Sequence, residues 1–355
     1  MLHKHVVAGE VMTTAWCPHD CSYCYIPKTE SMKKMHEDHI AKLDTILEES
    51  DEIFPKLTSL GLWGTEPLLT LDKIDIEEID QRFPDINEVS FSTSLISHTD
   101  TLIDFINNTK EVDWTVDVQV SIDGPYTNKN RQEGAVKLIK DNLVKLLDET
   151  NSDFNLRWKS TITPDNMEDM LGYGVDKYIN FFEEINELVE NNMHNKVNFN
   201  KGYVPTLMVP GRYSSEDGKL FADFLKEAHQ NNLDTSYTYR LKEIVQDQIF
   251  DQYKRDPHTA TCSGGDTQFG FDGQNIHMCH RSFYLDKKEY VEGVKQQNQE
   301  ENWDVSHFKS GTIDQIQENF MANKNNQKDQ DRFQYIMSNY HDYWELKLQM
   351  DKAMM

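Results

Sequence analysis

The chain has 355 residues, a length that suggests one large domain with a smaller one beside it, and its 36 Lys and Arg against 61 Asp and Glu leave a formal charge of −25 at pH 7. Hydrophobic residues make up 37% and aromatics 11%, lean for a globular enzyme but too rich in Phe, Tyr and Trp for a disordered chain. So acidic a balance argues against an extended nucleic-acid ligand; no stretch reaches the roughly 18 apolar residues of a membrane span, and residues 1–13 lack a secretory apolar run, which points to the cytoplasm.

From Val6 to about Phe199 short apolar runs alternate with helical patterns, the rhythm of β/α units around a parallel sheet. Strands are predicted over residues 6–14, 57–63, 88–93, 116–122, 155–162 and 197–203, enough for an α/β fold built as a partial (β/α)6 barrel. Between them, Ile40, Leu43, Ile46 and Leu47 mark one helix face, and Val136, Ile139, Leu143, Leu146 and Leu147 another. Ser214, with Asp217 three residues on and Leu220, Phe221, Phe224 and Leu225 following, opens a further helix near Ser215.

After a break over residues 255–260 the text turns Gly-rich with short-strand character. The pair Asp272-Gly273 predicts a β-hairpin, and residues 313–355 read as a polar helical tail. The expected organisation is a barrel core with its last helices over residues 1–250, a small C-terminal hairpin/helix module over 251–300, and a tail over 301–355.

The five cysteines suit metal or redox chemistry better than a disulfide framework. Cys17, Cys21 and Cys24 fall within eight residues on the loop after the first predicted strand. Three thiolates leave one coordination position open, which separates a catalytic centre from a closed structural one. The alternative is a structural zinc completed by His19 or a distant His. In the fourth strand Val116, Val118, Val120 and Ile122 alternate with Asp117, Gln119, Ser121 and Asp123, so one face meets helices and the other lines a polar lumen, near whose C-terminal end a barrel places its site.

The CxxxCxxC spacing, with Tyr23 before the last Cys, resembles the signature of the radical S-adenosylmethionine (SAM) superfamily. Gly64-Thr65-Glu66-Pro67 resembles the family's GGEP motif with Thr65 at its second Gly, and Phe91-Ser92-Thr93-Ser94 lies where relatives carry a third-strand motif. Ser121-Ile122-Asp123-Gly124-Pro125 followed by Arg131 is similar to the branch of anaerobic sulfatase-maturing enzymes and peptide maturases. The resemblance implies a [4Fe-4S] cluster on Cys17, Cys21 and Cys24 whose fourth iron chelates SAM, and reductive SAM cleavage to a 5′-deoxyadenosyl radical that abstracts a substrate hydrogen. It places Tyr23, Gly64, Thr65, Glu66, Pro67, Ser92, Thr93, Ser121, Asp123 and Arg131 at the cofactor, without naming a catalytic acid or base. Gly64 is expected to let the chain approach the methionine moiety and Glu66 to accept from its ammonium group. Ser121 and Arg131 would hold its carboxylate, and Asp123 would order the Gly124-Pro125 turn; alternatively Arg131 pairs with a surface acid. Thr65 brings a Cβ where relatives have none, which strains the loop if that position needs positive φ. Arg157, Lys159 and Thr161 share one parity of the fifth strand, where the two cations meet a carboxylate of SAM or substrate, or Lys159 lies exposed.

Cys262-Ser-Gly-Gly, Phe271-Asp272-Gly273 and Cys279-His280-Arg281 resemble the opening of the extension called SPASM, or twitch in shortened form, with its downstream cysteines missing. A second auxiliary cluster is excluded by ligand count. Cys262 and Cys279, with His258, His277 or His280, hold an auxiliary iron–sulfur cluster, a zinc ion or no metal. The hairpin is expected on the open side of the barrel, over the mouth of the site. The resemblance implies a peptide or protein substrate, the alternative being a small-molecule or nucleotide-derived one, and a reductant such as a flavodoxin or ferredoxin. Only five residues precede the first predicted strand, which counts against a leader-binding domain.

Overall fold

The computed structural model of the chain describes residues 8–24, 28–54, 56–162, 166, 169, 176–194, 196–207, 268–277 and 311–324. Six parallel strands follow one another in chain order: β1 (Ala8–Thr14), β2 (Ser59–Gly64), β3 (Glu88–Thr93), β4 (Thr115–Ser121), β5 (Phe154–Ile162) and β6 (Val197–Leu207). The helices between them are α1 (Glu30–Ile40), α2 (Leu43–Ile53), α3 (Ile76–Arg82), α4 (Thr99–Asn108), the single turn α5 (Thr127–Asn130), α6 (Ala135–Glu149) and α7 (Asp176–Asn192). Alternation decides which face each strand buries: Val116, Val118 and Val120 of β4 are fully buried, while Gln119 and Ser121 are half-buried on the other side. Leu156 and Trp158 of β5 share the buried side with Ile139, Leu143, Leu146 and Leu147 of α6 and Tyr178 and Phe182 of α7. This is the partial barrel, open because β1 and β6 do not pair.

The sheet continues past β1. Strand β7 (Gln268–Phe271) pairs with β1 in parallel, from Ala8 against Gln268 to Val11 against Phe271, and β8 (Ile276–His277) returns antiparallel to it. The predicted Asp272-Gly273 turn joins them. Asp272 Oδ1 accepts from the backbone N–H of Gln274 (2.9 Å) and Asn275 (2.7 Å), and Gly273 sits at φ +88° where a Cβ would lie 2.6 Å from Ile46 of α2. The hairpin thus covers the β1 edge of the barrel, which a free strand would leave open to other chains. Helix α8 (Ile313–Lys324) begins where the helical tail is predicted.

The run Ile40, Leu43, Ile46 and Leu47 belongs to two helices instead of one. α1 ends where Ala41 N–H bonds Glu37 O and Lys42 N–H bonds His39 O, and α2 restarts at Leu43. No Gly or Pro marks the break, so apolar spacing alone runs through it. The helix near Ser215 lies outside the described residues, as do Cys262, Cys279, His258 and His280. Among the described residues no helix is long and apolar enough to cross a membrane.

Candidate functional site

The cysteine loop leaves the C-terminal end of β1, the end of the sheet where β2, β3 and β4 also deliver their loops. Cys17, Cys21 and Cys24 are free and partly exposed. The loop is held from several sides. Ser22 N–H bonds Asn130 O at the end of α5 (2.8 Å), Cys24 N–H closes a turn on Cys21 O (2.9 Å), and Lys28 Nζ donates to Cys17 O (3.2 Å) and His19 O (2.6 Å). Burial pushes the Cys17 thiol up to about 12 against the opposing pull of Lys28, and it raises Cys21 against that of Arg131. Thiols so desolvated ionise readily only beside a cation, which is what iron supplies. Among the described residues no three His, Cys, Asp or Glu side chains converge on a single-ion site. A cubane cluster asks for a different arrangement, since each thiolate binds its own iron. The free, half-buried donor set fits that group.

One side of the loop faces Glu66. The loop Gly64-Thr65-Glu66 hangs on Thr14 at the end of β1, whose Oγ1 accepts from Thr65 N–H (3.0 Å) and Glu66 N–H (3.2 Å). Gly64 has φ +147°, and a Cβ there would lie 2.3 Å from Thr14 O. The neighbouring strand by itself therefore requires a glycine at this position. Thr65 is not among the described non-glycine residues with positive φ, and its hydroxyl meets Thr14 Oγ1 at 3.2 Å, so the departure from two glycines is accommodated. Pro67 opens the short turn Pro67–Leu69 that follows. The Glu66 carboxylate is buried: Oε1 accepts from Thr93 Oγ1 (2.6 Å), and Oε2 accepts from Ser94 N–H (3.0 Å) and Ser94 Oγ (2.6 Å). The Ser94 hydroxyl also meets His19 Nε2 of the cysteine loop at 2.9 Å. Burial lowers His19, against the pull of Glu66.

The other side of the loop is braced by Asp123, fully buried at the end of β4. Arg131 donates to it twice, Nε to Oδ2 (2.9 Å) and Nη2 to Oδ1 (3.0 Å); Tyr23 OH donates to Oδ2 (3.0 Å) and Thr161 N–H of β5 to Oδ1 (2.9 Å). The Arg131 guanidinium also lies over the Tyr23 ring, 5.6 Å from its centre. Burial alone would lower the guanidinium, but Asp123 outweighs it and holds it protonated; burial pushes the Tyr23 phenol well up. Arg131 pairs with an acid that is internal, where the alternative had one at the surface. Asp123 has its acceptor positions filled by protein donors and Tyr23 donates its hydroxyl there, so the three form a brace under the loop. The turn is ordered as well, with Thr127 Oγ1 bridging Asp123 N–H and Gly124 O.

Ser92 Oγ donates to Gln119 Oε1 (2.7 Å), joining β3 to β4 on the lumen face. Ser121 and Lys159 are partners in register, both half-buried, while Arg157 pairs with Asp117 of β4 (2.5 Å). His277 Nε2 lies 2.9 Å from Asp272 Oδ2 inside the hairpin. Sequence reasoning missed Thr14 and Lys28, and placed Ser94 in the third-strand motif without giving it a role. Thr14 and Lys28 each act through a single polar atom at a strand end or loop, and no spacing rule singles out such a residue.

Residues 11–148 match the model of the Radical SAM superfamily. No curated protein matches the chain. Among solved structures, native anSMEcpe with bound AdoMet is similar over 98% of this chain and 96% of that one, at 14% identity and a TM-score of 0.53, a likeness of fold. SuiB of Streptococcus suis bound to S-adenosylmethionine covers 80% of this chain and 60% of its own, at 11% identity and a TM-score of 0.42.

Proposed function

We propose that this chain, a radical SAM enzyme by its domain at residues 11–148, acts on a side chain of a peptide or protein. The family carries a [4Fe-4S] cluster and SAM, which when bound supply reductive carbon–sulfur cleavage and a radical able to abstract hydrogen. The observation that carries the site reading is the placement of the free cysteine loop between two buried carboxylates. Cys17, Cys21 and Cys24 hold the iron. Glu66 receives the ammonium group of SAM on Oε1, which has one donor, Thr93, among the described residues. The carboxylate of SAM falls to Ser121, with Lys159 beside it in register and Arg131 behind, holding Asp123.

The peptide reading is supported by the residues from Ser121 to Arg131 and from Cys262 to Arg281. The sheet face of Ser121 carries the half-buried polar residues Glu10, Ser90, Gln119 and Asn155. Within that reading, Cys262 and Cys279 hold an auxiliary cluster, zinc or nothing, and a small flavoprotein or ferredoxin delivers the electron.

Anaerobic reconstitution with a chemical reductant tests both levels. The wild type should form 5′-deoxyadenosine from SAM and Cys17→Ala should form none. A perdeuterated peptide pool should place deuterium in the 5′-deoxyadenosine. Turnover without label from any peptide, but with label from a deuterated small-molecule extract, would move the substrate to the small-molecule class.

A further inference from the structure

We infer that His19 is a positioning residue for SAM: through the Ser94 hydroxyl it fixes the Glu66 carboxylate in the orientation that meets the ammonium group. The inference rests on Glu66 being the ammonium acceptor. It concerns a residue that lies between two cysteines of the loop and ligates nothing in this reading.

The proton count sets the direction of each bond. A serine hydroxyl has one proton, and Ser94 gives it to Glu66 Oε2 at 2.6 Å. The contact of Ser94 Oγ with His19 Nε2 at 2.9 Å is then donated by the imidazole N–H. All three side chains are buried, so water does not compete for the hydroxyl. The Ser94 oxygen also accepts from Ile96 N–H, at the longer distance of 3.4 Å. The closer imidazole N–H on the same oxygen fixes the hydroxyl rotamer that directs its proton to Glu66.

The carboxylate follows. Oε2 takes two donors from one residue, the Ser94 N–H and O–H, and is saturated; Oε1 takes only Thr93 among the described residues. The remaining lone pair on Oε1 is therefore aimed by the way Oε2 is clamped. The clamp itself is built at some cost in backbone conformation. Leu95, fully buried, lies in the left-handed region at φ +51°, with its N–H on Thr93 Oγ1 (3.0 Å) and its carbonyl accepting from Asn142 Nδ2 of α6 (2.9 Å). That bend sits directly after Ser94, where both Ser94 donors turn back onto Glu66. On the loop side, His19 N–H contacts Cys17 Sγ at 3.4 Å and His19 O is held by Lys28. The ring is thus carried by the same backbone that carries the iron ligands, so one loop serves the cluster and, through Ser94, the ammonium subsite.

The test is equilibrium binding to cluster-loaded protein, with iron and sulfide counted in every variant, of two ligands: S-adenosylhomocysteine and its analogue with hydrogen in place of the α-amino group. His19→Phe should weaken the amino-bearing ligand about tenfold, the scale of one misplaced charge-assisted hydrogen bond, and leave the deaminated analogue within about twofold. His19→Gln, which can place an amide N–H near the position of Nε2, should restore the difference. Ser94→Ala breaks the same link from β3 without touching the cysteine loop; it should reproduce His19→Phe, and the double variant should be no weaker than either. Equal weakening of both ligands, or none, would overturn the inference. Glu66→Gln that leaves S-adenosylhomocysteine binding unchanged would instead remove the ammonium assignment on which it stands.

Discussion

The two sides of the cysteine loop each contain a buried carboxylate, and they are used in opposite ways. Asp123 is surrounded on both oxygens by Arg131, Tyr23 and Thr161, so the protein itself fills its acceptor positions. Glu66 has a saturated Oε2 but, among the described residues, a single donor on Oε1. A carboxylate taken out of water must recover its hydrogen bonds, and how many the fold returns decides whether a ligand is needed to complete the set. Asp123 is closed within the protein; Glu66 is one bond short among the described residues, and it is the one we propose for binding. Residue type and burial are alike in the two places, so neither would have told them apart.

The largest expected effect breaks the closed side. Asp123→Ala leaves the Arg131 guanidinium buried without its partner and should cost about 3–5 kcal/mol of unfolding free energy by denaturant titration, with the cysteine loop loosened as a consequence. Retained stability would mean that Arg131 finds another partner and that the brace is not where the loop is held. Glu66→Gln probes the open side and should do the reverse. Its carbonyl can stay on Ser94 while its amide faces Thr93, so stability should change by less than about 1 kcal/mol, whereas SAM binding should weaken by about 2 kcal/mol. Calorimetry and denaturation on the same variant would separate the two. Tyr23→Phe removes one donor from Asp123 and nothing from Glu66. A loss of about 1 kcal/mol in stability, with unchanged affinity of the loaded protein for SAM, would sharpen the division between the two sides.

The smallest effect concerns support that neither carboxylate provides. His36 Nδ1 accepts Ala15 N–H at the root of the cysteine loop, and His39 Nε2 bonds Met12 O of β1. Burial lowers both imidazoles below the ordinary value of 6.5. The unfolded chain therefore binds more protons than the folded one just below that value, so their contribution is complete above about pH 6.5 and is lost as pH falls toward the folded values. The metal-free protein should melt at a lower temperature near pH 5.5 than near pH 7.5. His39→Gln, which can keep a donor near Met12 O, should reduce that dependence. An unchanged or inverted slope would assign the acid sensitivity elsewhere.

The strand register was legible because each strand carries a period-two pattern that a helix cannot imitate. The third was predicted over residues 88–93 and occupies Glu88–Thr93, the fourth is shifted by one residue at both ends, and the fifth begins one residue earlier than predicted. Helix continuity was less legible: the α1–α2 break at Ala41 and Lys42 involves no residue that breaks helices. In the site, cysteine spacing and the loop residues Gly64, Glu66, Ser121 and Arg131 are local signals. The partner of Arg131 is not, because Asp123 could as well have turned outward to its own loop. Thr65 is tolerated since the positive φ belongs to Gly64, a fact of backbone geometry that residue identity does not state.

By itself, then, the sequence determined what is set by short-range order: the parallel β/α succession, the thiol loop after the first strand, the turn at Asp272-Gly273, and the side of β4 that faces the helices. Only the tertiary structure decided what depends on atoms distant along the chain meeting in one place. It pairs β7 with β1 across more than two hundred residues, as in Ala8 with Gln268, gives Gly64 its reason in Thr14, closes Asp123 and leaves Glu66 open. A pattern of apolar spacing reports which face is buried because burial is averaged over a whole element. Hydrogen-bond saturation is settled atom by atom within about 3 Å, and that information exists only once the elements have packed.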